Sequence, residues 1–242
     1  APFMIQPVIV GTERYIQSEV KRMEAAAKST KKESEGLLST LGLRGTVTTD
    51  HGAVAATIMK HAQRGIDLLS IGSRGLDALD RFMLGSISNH AIHHASCSVL
   101  VVKESPRPVR HLILAIDGSV ASDKAVKFLL RTFNPTPDGP DREPVLVTVV
   151  HAMPFLKYPE VKEAGKGLVQ RYGDKLAKSG FQIREAVRLG KPADEILTVA
   201  KKNKADLIVT GAKGLGAIGR VLLGSVSTRV VQHAHCSVLV VR

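Results

Sequence analysis

The sequence predicts an α/β protein made of two tandem doubly wound parallel-sheet domains, the first of them incomplete. Three observations lead there. Residues 67–102, DLLSIGSRGLDALDRFMLGSISNHAIHHASCSVLVV, align without a gap on residues 206–241, DLIVTGAKGLGAIGRVLLGSVSTRVVQHAHCSVLVV, at a constant offset of 139. Through the second copy, strand-like runs alternate with helix-length segments, the pattern of βαβ units. Those runs are near-continuous Val, Ile and Leu, as in strands buried on both faces.

The second copy, residues 109–242, contains every element of such a domain. Its strands are expected at 110–116 (RHLILAI), 145–151, 181–187, 206–211 and 236–241, and its helices at 120–132, 160–179, 192–203 and 225–234. Pro192 suits a first helical turn, where the missing N–H is not needed. Residues 104–109 (ESPRPV) read as the linker.

The first copy, residues 1–103, is expected to lack its first strand, first helix and second strand, because the offset puts the equivalent of Asp117 ahead of residue 1. Either the chain is shortened there or a partner supplies the segment. Residues 1–3 match the stretch that follows the second strand of the other copy, Ala152–Phe155. Residues 7–11 (PVIVG) are a weak substitute strand, since Pro7 cannot donate to a ladder. Residues 45–49 are expected to form a strand, left apart from the 67–72 strand by the missing one. The first repeat is therefore expected to be the less stable half and to unfold in a separate step.

Apolar residues make up 44% of the chain and charged residues 23%, the balance of an ordinary globular protein. The net charge of +12 favours polyanionic ligands. With 4% aromatic residues and no Trp, the chain lacks the stacking platforms of single-strand binders, so nucleic acid is not the expected partner. No apolar run approaches the ~20 residues of a membrane span, and no secretory leader pattern opens the sequence. A cytoplasmic location without membrane association is the expectation. Cys97 and Cys236 hold equivalent positions in the two copies and are expected to be reduced and structural.

Both copies carry G-x2-G-x9-G-S directly after an apolar strand: Gly72, Gly75, Gly85 and Ser86 in the first, Gly211, Gly214, Gly224 and Ser225 in the second. Glycines allow sharp turns and close approach of backbone to a ligand. The Gly-Ser pair opens a helix whose first N–H groups have no internal partner, which makes an anion site. The serine can cap that helix or meet a phosphate. Arg74 and Arg81 pair with Lys213 and Arg220 under the offset, and these cations either neutralise phosphate charge or are solvated loop side chains.

Together with the strand ending in Asp117-Gly118-Ser119 and the closing Cys-Ser-Val-Leu-Val-Val strand, this motif resembles the universal stress protein family. The likeness covers all of residues 109–242 and most of 1–103. The resemblance implies a sheet in the order 3-2-1-4-5 and an adenine nucleotide as ligand, ATP with or without Mg. Carried over by position, the phosphates and ribose fall to Gly211, Gly214, Gly224, Ser225 and Val226. The acidic residue at the nucleotide is Asp117, with Ala115 beside it, and backbone atoms at Val150 meet the adenine. The bland reading of Asp117 is a helix cap. Pairing through the last strands is also implied, as a homodimer or between the two repeats. The first copy keeps the glycines but lacks partners for Asp117 and Val150, so it is expected to bind weakly or not at all.

Gly214, Gly216 and Gly219 fit G-x-G-x-x-G, but no acidic residue follows Asp206, so the ribose-binding acid of a dinucleotide site is missing. A Walker sequence is absent. His90, His93, His94, His233 and His235 lie near expected helix ends, where carbonyls satisfy them without a metal. No nucleophile, base and orienting acid stand together. The expected function is thus a stress-response ATP-binding regulatory module. The alternatives are a nucleotide-free interaction module and a slow ATPase or phosphotransfer enzyme, for which Ser225 would be the first acceptor to consider.

Overall fold

The structure is a computed structural model that describes residues 10–63, 65–73, 84–103, 108–136, 144–154, 159–214 and 223–242. It divides into two compact units, Ala1–Ala53 and Val54–Arg242. In the first, a single long helix, α1 (Val10–Thr40), ends in a Schellman turn. There Gly42 adopts φ +64°, Gly42 N donates to Ser39 O and Leu43 N donates to Leu38 O at 2.9 Å. Val10 and Gly11 open this helix rather than a strand, and residues 7–9 lie outside the described residues, as do residues 1–3.

The strand expected at 45–49 is not formed. Thr46, Val47, Thr48 and Thr49 have β-forming side chains, but a strand exists only as a member of a ladder, and among the described residues no ladder includes them.

The second unit holds α2 (Val54–Ala62), β1 (Leu68–Gly72), α3 (Ser86–His94), β2 (Ser98–Val102), β3 (His111–Ile116), α4 (Val120–Thr132), β4 (Leu146–Met153), α5 (Pro159–Ala177), β5 (Gln182–Leu189), α6 (Pro192–Lys202), β6 (Leu207–Gly211), α7 (Ser225–His233) and β7 (Ser237–Val241). One seven-stranded sheet runs β1-β2-β7-β6-β3-β4-β5. Its last five strands, counted from β5, reproduce the expected order 3-2-1-4-5. All neighbours are parallel except β2 and β7, which join the two repeats antiparallel with Leu100 opposite Leu239. The two apolar strands thus cover each other's edges. Among the described residues strand β1 pairs along one side only, with β2, and ends the sheet.

Alternation along the strands feeds two cores. Leu112, Leu114, Val147 and Val149 face α4 and α5, where Leu129, Tyr172 and Leu176 are fully buried. Ile113, Ile208 and Val238 face α6 and α7 with Ile196, Ala200 and Val230. Each large aliphatic side chain so buried contributes roughly 1.5–3 kcal/mol. Pro192 takes the first turn of α6, as its fixed φ favours. The buried Cys97 and Cys236 are not joined in a disulfide. Among the described residues no helix is long and apolar enough to cross a membrane.

Candidate functional site

A parallel sheet in this order leaves a crevice beyond the carboxyl ends of its strands, where the connections from β3 and β6 diverge to opposite faces. A cleft of about 620 Å³ lies there. Ala115 and Asp117 reach it from β3, His151 to Pro154 from β4, and Gly211, Lys213 and Gly214 from β6 and its loop. Gly224, Ser225 and Val226 bring the first turn of α7 to the same space, and Pro192 and Ile196 close it from α6.

Asp117 is held by the turn that follows it. Its Oδ1 accepts from Ser119 N at 3.0 Å and from Ser122 Oγ at 2.9 Å, while Asp117 N donates to Ser122 Oγ. Gly118 completes the turn with φ +82°, a conformation that favours glycine. The cap of α4 is Ser119, whose Oγ accepts from Ser122 N at 3.4 Å, so Asp117 is not the helix cap. Its Oδ2 points at the loop after β6, since a Cβ at Gly214 would lie 2.4 Å from it.

The motif glycines do not serve sharp turning, since none of Gly211, Gly214 and Gly224 has a positive φ, and at Gly211 and Gly214 they serve close approach. At Gly211 a Cβ would lie 2.5 Å from Ala121 Cβ and 2.9 Å from its carbonyl carbon, so α4 packs directly on the end of β6. Gly224 differs. Its nearest neighbour to an added Cβ is Ala212 O at 3.4 Å, and its φ of −64° and ψ of 149° suit any residue. Protein packing does not require glycine there.

Gly224 is also the N-cap of α7, without a side-chain cap, which makes Ser225 the first helical residue instead of the cap. Ser225 is exposed toward the cleft, and the opening amides of α7 lie beside it. Ser227 Oγ donates to Gly211 O at 2.7 Å and fastens this turn to β6. In the first repeat Ser88 Oγ donates to Gly72 O at 2.7 Å, and Gly85 N donates to Ser73 O as Gly224 N does to Ala212 O, both at 2.8 Å. The described parts of the two loops are therefore built alike; Arg74, Gly75 and Arg81 lie outside them.

Of the expected site residues, Ala115, Asp117, Gly211, Lys213, Gly214, Gly224, Ser225 and Val226 converge on the cleft. Val150 does not line it. Its side chain is fully buried in the core below, because β4 runs on to Met153, two residues past the expected end, and the cleft wall is carried by His151, Ala152 and Met153. Arg220 lies outside the described residues. His151 Nδ1 donates to Ile116 O at 2.9 Å, tying the end of β4 to the residue before Asp117. Among the described residues no group of three metal-binding side chains converges. The rings of His90 and His94 on α3 lie with centroids 4.3 Å apart, tilted by 32°.

The model of the universal stress protein family matches residues 5–103 and again 108–242. The chain belongs to that family. A universal stress protein of Methanocaldococcus jannaschii is 32% identical over 152 residues, covering 59% of this chain and 87% of its own. One from Mycolicibacterium smegmatis is 31% identical over 210 residues, 78% of this chain. This universal stress protein spans 66% of that relative's length and 63% of the matched Mycobacterium tuberculosis relatives'. The crystal structure of a universal stress protein from Archaeoglobus fulgidus has the same fold, with a TM-score of 0.67 and 18% identity over 99% of this chain and 84% of that one.

Proposed function

We propose that this universal stress protein binds an adenine nucleotide, ATP foremost, in the cleft of the Val54–Arg242 unit, and that occupancy alters a surface read by partner proteins. The observation that carries the reading is the convergence on one cleft of three unlike features: the uncapped start of α7, the anchored Asp117 carboxylate, and an apolar part of the lining to which Met153 and Ile196 contribute. Amides and dipole at a helix start suit phosphates. A fixed carboxylate suits ribose hydroxyls, and an apolar lining suits a flat base. Gly224 has no side chain to stand between a phosphate oxygen and the amides of Ser225 and Val226, and Lys213 adds positive charge beside the same cleft. Asp117 is the carboxylate among the described lining residues, so Mg would be held mainly by the nucleotide's own phosphates.

The test is direct. Nucleotide released from the denatured, purified protein should be adenine nucleotide, and calorimetric titration of stripped protein should give about one ATP per chain. A stripped, folded chain that takes up neither ATP nor AMP overturns the reading. Regulatory action is tested separately, by comparing partner capture with and without saturating ATP.

A further inference from the structure

We propose that Gly165 of α5 is a positioning residue for the base end of this cleft: it gives Met153 and His151 the room that keeps that end open. The inference rests on the nucleotide reading above. Along β4, Val150 and Ala152 face the core that contains Ile196, whereas Val147 and Val149 face α5. By the same alternation His151 and Met153 lie under α5 while also lining the cleft. The helix crosses them at Gly165. A Cβ there would lie 2.5 Å from Met153 Cε, 3.2 Å from Val187 Cγ1 and 3.3 Å from His151 Cδ2. The helix backbone thus rests on two side chains of the cleft wall, with no space for a methyl group.

The three neighbours cannot yield equally. Val187 is a β-branched strand residue with a stiff side chain. His151 is held by its hydrogen bond to Ile116 O. Met153 has the flexible end, and the empty volume next to it is the cleft, because its other side is packed interior. A side chain at 165 therefore drives the Met153 methyl group into the cleft. Gly167, two residues along the helix and exposed, has nothing within 4 Å of an added Cβ and provides an internal control. Alanine is the better helix former at both positions, so neither change should unravel α5.

The experiment is ATP titration of four full-length proteins: unaltered, Gly165→Ala, Gly167→Ala, and Gly165→Ala with Met153→Ala. Gly165→Ala should weaken binding by about tenfold or more, Gly167→Ala by less than about twofold, and the double change, which removes the displaced methyl group together with part of the cleft wall, should bind about threefold or more tighter than Gly165→Ala alone. Unaltered affinity in Gly165→Ala, or failure of Met153→Ala to rescue, overturns the proposal while leaving the nucleotide reading intact. No binding by the unaltered protein overturns the nucleotide reading itself and this inference with it. Should Gly165→Ala not fold, Met153→Ala alone decides: a widened cleft should take N6-benzyl-ATP about tenfold more tightly than the unaltered protein does, and no gain overturns the role of Met153 as the movable wall.

Discussion

Lys103 and Arg242 stand at equivalent positions of the two repeats, and each reaches across the β2–β7 seam to the end of the other repeat's last helix. Lys103 Nζ donates to Ala234 O at 2.7 Å, and the Arg242 guanidinium donates to Ile92 O at 2.5 Å. Their backbones repeat the exchange, Lys103 N donating to Ser237 Oγ and Arg242 N to Ser98 Oγ. A cation at a helix carboxyl end is worth about 0.3–1 kcal/mol, and more when partly buried. The two are not energetically equal, however. Burial holds the Arg242 guanidinium below its usual range, and its Nε is buried without a hydrogen-bond partner. Lys103→Met should therefore lower stability by about 1 kcal/mol in urea unfolding, and Arg242→Met by less. A larger loss at Arg242 would count against this account.

The motif glycines should separate fold from ligand. Gly211→Ala places a methyl group against the backbone of Ala121 and should cost about 1–3 kcal/mol of stability. Gly224→Ala meets nothing closer than 3.4 Å in an ordinary conformation and should leave stability unchanged or raise it by up to about 1 kcal/mol. Gly224→Val should remain folded yet lose ATP, because its methyl groups would occupy the space beside the opening amides of α7. Binding titration and thermal melting on the same samples distinguish these outcomes; full ATP affinity in folded Gly224→Val would remove the phosphates from this position.

This division explains what could be read from the sequence. The G-x2-G-x9-G-S pattern and its place after a strand were legible because a repeat exposes them twice, and the five-strand order because that motif resembles a known family. The reason for Gly211 was not, since it depends on Ala121, far off in sequence. The same holds for Gly214, which makes room for the Asp117 carboxylate. Met153 and His151 carry no periodic signal, and the expected strand stopped before one of them. Ser227 was within reach, because Ser88 is its counterpart and makes the same bond. The strand expected at 45–49 failed for a different reason: local β-propensity cannot supply a neighbour.

Acid should weaken the fold through two histidines. Burial lowers the pKa of His93 from its ordinary 6.5, helped by His94, Arg242 and His90. Burial also lowers His111, with Arg184 adding to the effect while the Asn203 carbonyl and Asp206 oppose it. His111 Nδ1 donates to Asn203 O at 3.0 Å and Nε2 accepts from Thr148 Oγ1 at 2.8 Å, an arrangement that suits the neutral ring. Both side chains bind a proton more weakly folded than unfolded. Their stability contribution is therefore complete above about 6.5 and is lost as pH falls through the lower folded values. Urea midpoints measured from pH 7.5 down to 5 should fall, and His111→Gln should flatten that slope. A midpoint independent of pH across this range would contradict it.

The shared core decides how the Val54–Arg242 unit melts. Met59, Ile92, Val99 and Val101 of the first repeat belong to one buried cluster with Ile113, Ile208, Val230 and Val238 of the second. Removing either group exposes the other, so the two unfolding steps expected from the sequence should merge into one. Calorimetry of the full chain should show a single cooperative transition for this unit, and ATP at about 100 times its dissociation constant should raise its stability as a whole by about 2.7 kcal/mol. Hydrogen exchange gives the finer test. Amides of β2 and β7 should be protected to the same degree, whereas β1, paired on one side and with Leu68 37% exposed, should exchange faster at alternate residues. If β1 and β2 lose protection together well before β7, and ATP leaves that early loss unmoved, the seam is weaker than its shared core implies and the repeats unfold as separate units.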